Sequence, residues 1–188
     1  MRRRAEQVDR TRERITEATV RLHTTIGPSA ASMSAIAEEA GVTRLTLYRH
    51  FASRDELFEA CMSHWAERHP GPDVEGWRAI PLSRGRARRA LREVYDYYRR
   101  NGSDLAPLYR DFVAWPESAQ LRAGAQAGEM VDALLDGVRR RGAPLKRLRA
   151  AAGHALAFGT WRSLAVDQGL SDDEAVDLAV GFLQAASA

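Results

Sequence analysis

Apolar residues recur every three or four positions along most of this chain, the spacing of helices that bury one face. In the first helix Val8, Ile15, Ala18, Leu22 and Ile26 fall on one stripe, with Arg12, Glu13, Arg14 and Glu17 largely off it. Gly27-Pro28 stops that helix, because glycine tolerates a positive φ and proline lacks an N–H. A second helix is expected from Met33 to Ala40, capped by the Ser32 hydroxyl and ended by Gly41. A third runs from Thr43 to about His50. Ser53-Arg54-Asp55-Glu56 then reads as a capping box in which Ser53 caps and Glu56 reaches back to its amide. The fourth helix turns Leu57, Phe58, Cys61, Met62 and Trp65 inward. Alternating β-branched runs bounded by turns are missing, so the fold class is all-α.

Pro70, Pro72 and Pro81 with two glycines mark residues 70–82 as a loop. Beyond it, helices are expected at about 83–101, 104–115, 117–141, 145–168 and 172–186. Asn101-Gly102, Pro116, Gly142-Pro144 and Gly169 punctuate them. Ser171-Asp172-Asp173-Glu174 is a second capping box and sets the start of the last helix.

Composition narrows the functional classes. With 188 residues, 45% of them hydrophobic, the chain can bury a sizeable core. Cys61 stands alone, which excludes an intrachain disulfide and a cysteine-based zinc site. No apolar stretch follows Arg2-Arg3-Arg4, and no run approaches the ~18 apolar residues of a membrane helix. The expectation is a soluble cytoplasmic protein without a membrane partner, a metal or another cofactor. Net charge is +3. Its distribution is uneven: residues 1–54 carry ten arginines against six acids, and the remainder is close to balanced. A basic first third suits contact with phosphate, though a solvated charged surface would look similar.

The stretch Ile36-Ala37-Glu38-Glu39-Ala40-Gly41-Val42-Thr43-Arg44-Leu45-Thr46-Leu47-Tyr48-Arg49-His50-Phe51 has the logic of a helix-turn-helix. Ala37 lets two helices approach, Gly41 permits the turn, Val42 enters the wedge, and Leu47 and Phe51 close the core. Thr43 caps the third helix, which leaves Arg44, Leu45, Thr46, Tyr48 and Arg49 outward for a major groove. Arg44 can pair with guanine or phosphate, and Leu45 can touch a thymine methyl. Thr43, Thr46, Tyr48 and His50 can donate to phosphate oxygens. Ser32 and Ser34 open the second helix, where amides favour phosphate. Arg2, Arg3 and Arg4 are either a solvated tail or a reach into the minor groove.

The stretch from about Arg12 to Trp65 resembles the DNA-binding domain of the tetracycline-repressor (TetR) family. The resemblance rests on Ile36-Ala37-Glu38-Glu39-Ala40-Gly41-Val42, Thr46-Leu47-Tyr48-Arg49-His50-Phe51 and Ser53-Arg54-Asp55-Glu56-Leu57. It implies an N-terminal three-helix reader, residues 1–54, joined to a helical ligand-binding and dimerising domain, residues 55–188. Arg54 matches a basic residue that the family usually sets against phosphate. Leu45 departs from the small residue or proline more common there.

The implied function is a DNA-binding transcriptional regulator: a homodimeric repressor released from a palindromic double-stranded operator by a small hydrophobic or aromatic effector. A redox-responsive or ligand-independent regulator is the alternative, the former through Cys61. Tyr95, Tyr98, Leu108, Phe112, Trp115, Met130, Leu134, His154, Phe158 and Trp161 are the candidate pocket, with ordinary core packing the competing reading of each. Ala155, Leu156 and Gly159 with Ala175, Ala179, Phe182, Leu183 and Ala186 form the expected dimer stripe, or else an intrachain core. An enzyme is disfavoured. The chain has no glycine-rich phosphate loop, nucleophile elbow or His-Glu-x-x-His pair, and His64 and His69 beside Glu67 are poorly spaced for a metal.

Overall fold

The computed structural model describes residues 2–187, with side chains from Glu6 onward. Among the described residues every regular element is helical. The helices are α1 (Arg2–Thr25), α2 (Met33–Glu39), α3 (Arg44–His50), α4 (Arg54–Arg68), α5 (Val74–Arg78), α6 (Arg84–Arg110), α7 (Glu117–Leu134), α8 (Gly142–Leu156), α9 (Phe158–Trp161) and α10 (Asp172–Ser187). A 3-10 turn at Phe112–Ala114 precedes α7, and a π-helical stretch at Arg162–Asp167 follows α9. Two compact units result. One comprises the chain up to Pro70 together with Asn101–Gln120, the other Gly71–Arg100 and the residues from Leu121 on. The expected boundary after residue 54 does not coincide with these units, because α4 packs along α1.

In the first unit Ile15, Ala18, Ile36, Ala37, Leu47, Phe51 and Leu57 form one buried cluster. The α1 stripe is rotated from the expected one: Val8 and Ile26 are exposed, whereas Thr16, Thr19 and His23 are buried. Burying the threonines leaves no polar group unsatisfied, since Thr16 donates to the Arg12 carbonyl at 3.0 Å and Thr19 to the Ile15 carbonyl at 2.8 Å. Along α4, Leu57, Phe58, Cys61 and Trp65 face inward and Met62 is half-buried. The Ser53 hydroxyl accepts from the Glu56 amide at 3.0 Å; the Glu56 carboxylate returns to the Ala52 amide at 2.8 Å, one residue before the expected one.

The α1–α2 turn is clamped by the end of α6. Asp111 accepts from the Ser29 amide at 3.0 Å, and Arg110 donates to Asp111 at 2.8 Å and to the Ile26 carbonyl at 2.7 Å. The Arg110 hydrogen bond, then the Ser29 amide, hold the Asp111 carboxyl down at about 2. Gly27 has φ +91°, and a Cβ there would overlap both Arg110 and Asp111 side chains. Gly27→Ala is therefore expected to cost about 1–3 kcal/mol through backbone strain, with the clamp loosened besides. Urea denaturation of the full chain reads this out, and an unchanged midpoint would contradict it.

In the second unit the expected 70–82 loop holds a helix. Asp73 caps α5 by accepting from the Gly76 amide at 3.0 Å, and Trp77 is fully buried with its indole N–H donating to Glu93 at 2.8 Å. α6 runs through Asn101-Gly102 without the expected break, and Pro107 lies inside it. A mid-helix glycine costs ~1 kcal/mol, less than the burial of Leu105 and Leu108 stabilises. The single helix expected at 145–168 breaks at Ala157, where ψ is 141°. The Tyr95 and Tyr98 hydroxyls donate there, at 3.0 and 2.9 Å, to the Ala155 and Leu156 carbonyls that the break leaves without helical partners. At the start of α10, the Ser171 hydroxyl and the Glu174 carboxylate cap one another's amides at 3.4 and 2.9 Å.

Candidate nucleic-acid interface

The helix-turn-helix is built by local chemistry. Ser32 caps α2 by accepting from the Ala35 amide at 3.1 Å. Gly41 turns the chain at φ +63°, and the Val42 amide closes on the Ala37 carbonyl at 2.9 Å. Arg14 from α1 donates to the Ala40 and Gly41 carbonyls, groups that the end of α2 leaves unpaired. Thr43 accepts from the Thr46 amide at 3.1 Å and shares a 2.9 Å contact with its hydroxyl. Leu47 and Phe51 are fully buried and so fix which side of α3 points out.

That outward side carries Arg44, Leu45, Tyr48 and Arg49, with Leu45 64% and Tyr48 43% exposed. Thr43, Ser32 and Ser34 are exposed, while Thr46 and His50 are half-buried. The Arg44 guanidinium lies 6.0 Å from the Tyr48 ring and makes no ion pair among the described residues. Arg49 was readable as outward-facing from its helix position, and it too is exposed.

Several other arginines of the basic first third are engaged inside the fold. Arg12 donates to the His50 carbonyl and to Glu56 at 3.1 Å, and sits 4.0 Å over the Phe51 ring. Arg21 pairs with Glu39 at 2.9 Å. Arg54, expected against phosphate, donates to the Pro28 carbonyl at 2.5 Å. The side chains of Arg2, Arg3 and Arg4 lie outside the described residues. A charge count thus overstates the free positive surface.

Residues 15–61 match the family model described as bacterial regulatory proteins, tetR family. That segment, about a quarter of the chain, is where the likeness to the TetR family lies. It is 29% identical over 112 residues to the HTH-type transcriptional activator FasR of Mycolicibacterium smegmatis, a match covering 58% of this chain and 50% of that protein. The chain thus spans about half the length of that curated relative. A TetR-like transcriptional regulator from Rhodococcus sp. RHA1 shares the fold with a TM-score of 0.62 at 22% identity, covering 93% of each chain. A Clostridium perfringens protein provisionally named a fatty acid metabolism regulator shares it at 0.59 and 17% identity, covering 91% of this chain and 97% of the other. The tetR-family likeness at residues 15–61 falls on the helix-turn-helix, and the described residues of the chain form an all-helical fold.

The residues expected to line one effector pocket fall into separate clusters. In the first unit Trp115 packs against Phe58 and Phe112 with ring centroids 5.3 and 5.0 Å apart, and its indole donates to the Leu108 carbonyl at 3.1 Å. In the second unit Tyr98, Phe158 and Trp161 pack at 5.3–5.8 Å, with Tyr95 buried nearby. These side chains fill space rather than line it. His154 is exposed and Met130 half-buried. Of the expected set, only Leu134 borders the cavity of about 370 Å³ in the second unit.

The expected dimer stripe is also largely consumed within the chain. Ala155, Leu156, Ala175, Ala179, Leu183 and Ala186 are buried where α8 packs on α10. The faces left outward carry His154 and Ala150 on α8 and Leu178, Phe182 and Ala185 on α10, with Gly159 exposed beyond the break. His154 and Phe182 approach with ring centroids 5.8 Å apart.

Cys61 lies 3.6 Å from His23 Nδ1 in the first-unit core. Burial pushes its thiol up to about 12, which suppresses the reactive thiolate. That environment speaks against the redox-responsive alternative.

Proposed function

We propose that this regulator is a homodimeric repressor that binds a palindromic operator through α3 and is released by a small hydrophobic effector. The observation carrying the DNA-contact reading is the outward face of α3: Arg44 without an ion pair beside Tyr48, and Leu45 exposed at the helix start. Such a face at a capped N-terminus suits major-groove entry, with Arg44 reading guanine or phosphate and Thr43, Thr46, Tyr48 and His50 setting register. Leu45 is assigned a thymine methyl. Ser32 and Ser34 contact phosphate from the start of α2, and Arg54 reaches phosphate only if it leaves the Pro28 carbonyl.

Dimerisation is assigned to the outward faces of α8 and α10, where Leu178, Phe182 and Ala185 follow helical spacing beside His154. Two helices from each copy would form a four-helix bundle and set two readers on successive half-sites. Residues 1–54 act as the reader and the rest as the sensing and dimerising body, working in the cytoplasm by binding rather than by catalysis. Effector binding must favour a body conformation with a different reader spacing. The Clostridium relative's name accords with an apolar effector.

Arg44→Ala and Tyr48→Ala are each expected to weaken operator binding by about 1–3 kcal/mol with the dimer mass unchanged. Fluorescence anisotropy on the mapped operator, paired with sedimentation, tests this. Wild-type affinity in both variants would sink the docking proposed for α3.

A further inference from the structure

The cavity of about 370 Å³ in the second unit is not the aromatic pocket expected from sequence, and its chemistry is specific. Its wall is aliphatic, built around Leu134, Leu148 and Leu183, all buried. No aromatic side chain lines it, so nothing there selects a flat ring by stacking. Its polar lining is Arg84, Arg139 and Arg140 with the uncharged Ser83, Gln184 and Ser187, and no aspartate or glutamate takes part. All three arginines are exposed, and none makes an ion pair or hydrogen bond among the described residues. Neighbouring arginines are engaged: Arg86 donates to the Ile80 and Asp136 carbonyls at 2.7 and 2.6 Å, and Arg88, Arg92 and Arg99 pair with Asp177, Asp173 and Asp172. Three free guanidiniums around an apolar cavity favour an anion with an apolar body.

We propose that this cavity binds an aliphatic carboxylate of roughly eight to twelve carbons. The carboxylate sits among Arg84, Arg139 and Arg140, and the chain lies against Leu134, Leu148 and Leu183. The volume accords with that length: at roughly 30 Å³ per water-sized group, a cavity of about 370 Å³ takes about a dozen non-hydrogen atoms. The assignment of this ligand as the effector rests on the ligand-release reading above; its binding does not.

Isothermal titration of the full chain with decanoate, decan-1-ol and decyltrimethylammonium tests the proposal. Decanoate is expected to bind, with the alcohol at least about tenfold weaker and the cation weaker still. Replacing Arg84, Arg139 and Arg140 together by glutamine, at exposed positions that leave folding intact, should remove the preference for decanoate over decanol. Leu183→Trp, checked for native circular dichroism, should block both. Absence of decanoate binding, equal affinity for acid and alcohol, or an undiminished preference in the triple variant would overturn it. Decanoate binding that leaves operator affinity unchanged supports this site and counts against release by an effector. Release of operator by another compound, from a chain that ignores decanoate, does the reverse.

Discussion

Phe51→Ala is expected to cost about 3–5 kcal/mol of stability, the range for truncating a buried aromatic. Phe51 is fully buried at the end of α3, among Ile15, Ile36, Leu47 and Leu57. Its ring also supports the Arg12 guanidinium at 4.0 Å, and Arg12 in turn ties the His50 carbonyl to Glu56. Truncation therefore opens a cavity and removes the platform of an arginine that joins α1, α3 and α4. Against a total of about 5–15 kcal/mol for an ordinary domain, this is a large share. Urea denaturation of the full chain measures it, with Phe51→Leu as a near-volume control expected to lose much less. A loss below about 1 kcal/mol for the alanine variant would show that the ring does not hold the reader together.

Acid sensitivity should trace to His23. This side chain is buried against Phe58, with ring centroids 5.4 Å apart, and beside Cys61. Desolvation, then the Arg54 charge, lower its pKa from 6.5 to about 4, while Asp111 opposes them. The unfolded chain thus binds the proton more readily than the folded one between those values. The stabilisation from a neutral His23 is complete above pH 6.5 and is lost as pH falls toward 4. A shift of that size corresponds to about 3 kcal/mol. Denaturation midpoints at pH 7, 6, 5 and 4 should fall for the wild type, with this contribution missing from His23→Leu. Parallel pH profiles for the two proteins would refute the assignment. The slope decides, so an altered stability of the variant at pH 7 does not confuse the result.

Both effects depend on what surrounds a residue, which is where sequence reading loses its grip. The helix-turn-helix was legible because its determinants are local. Ser32, Thr43 and Ser53 cap their own helices within three residues, and Gly41 supplies its own positive φ. Ser171 and Glu174 are legible for the same reason. The break at Ala157 was hidden, since two tyrosine hydroxyls nearly sixty residues away support it.

On its own, then, the sequence determined the all-helical class, the caps and the turn of the reader, and the outward side of α3. These follow from periodicity and from hydrogen bonds that close within a few residues. Tertiary structure alone decided which face of α8 and α10 is buried, because small apolar residues occupy both sides of those helices. It also decided which arginines remain free, since Arg12, Arg14, Arg21 and Arg54 find partners 18 to 44 residues away. Of the basic first third, these four arginines are engaged within the fold, and Arg44 and Arg49 stay exposed on α3.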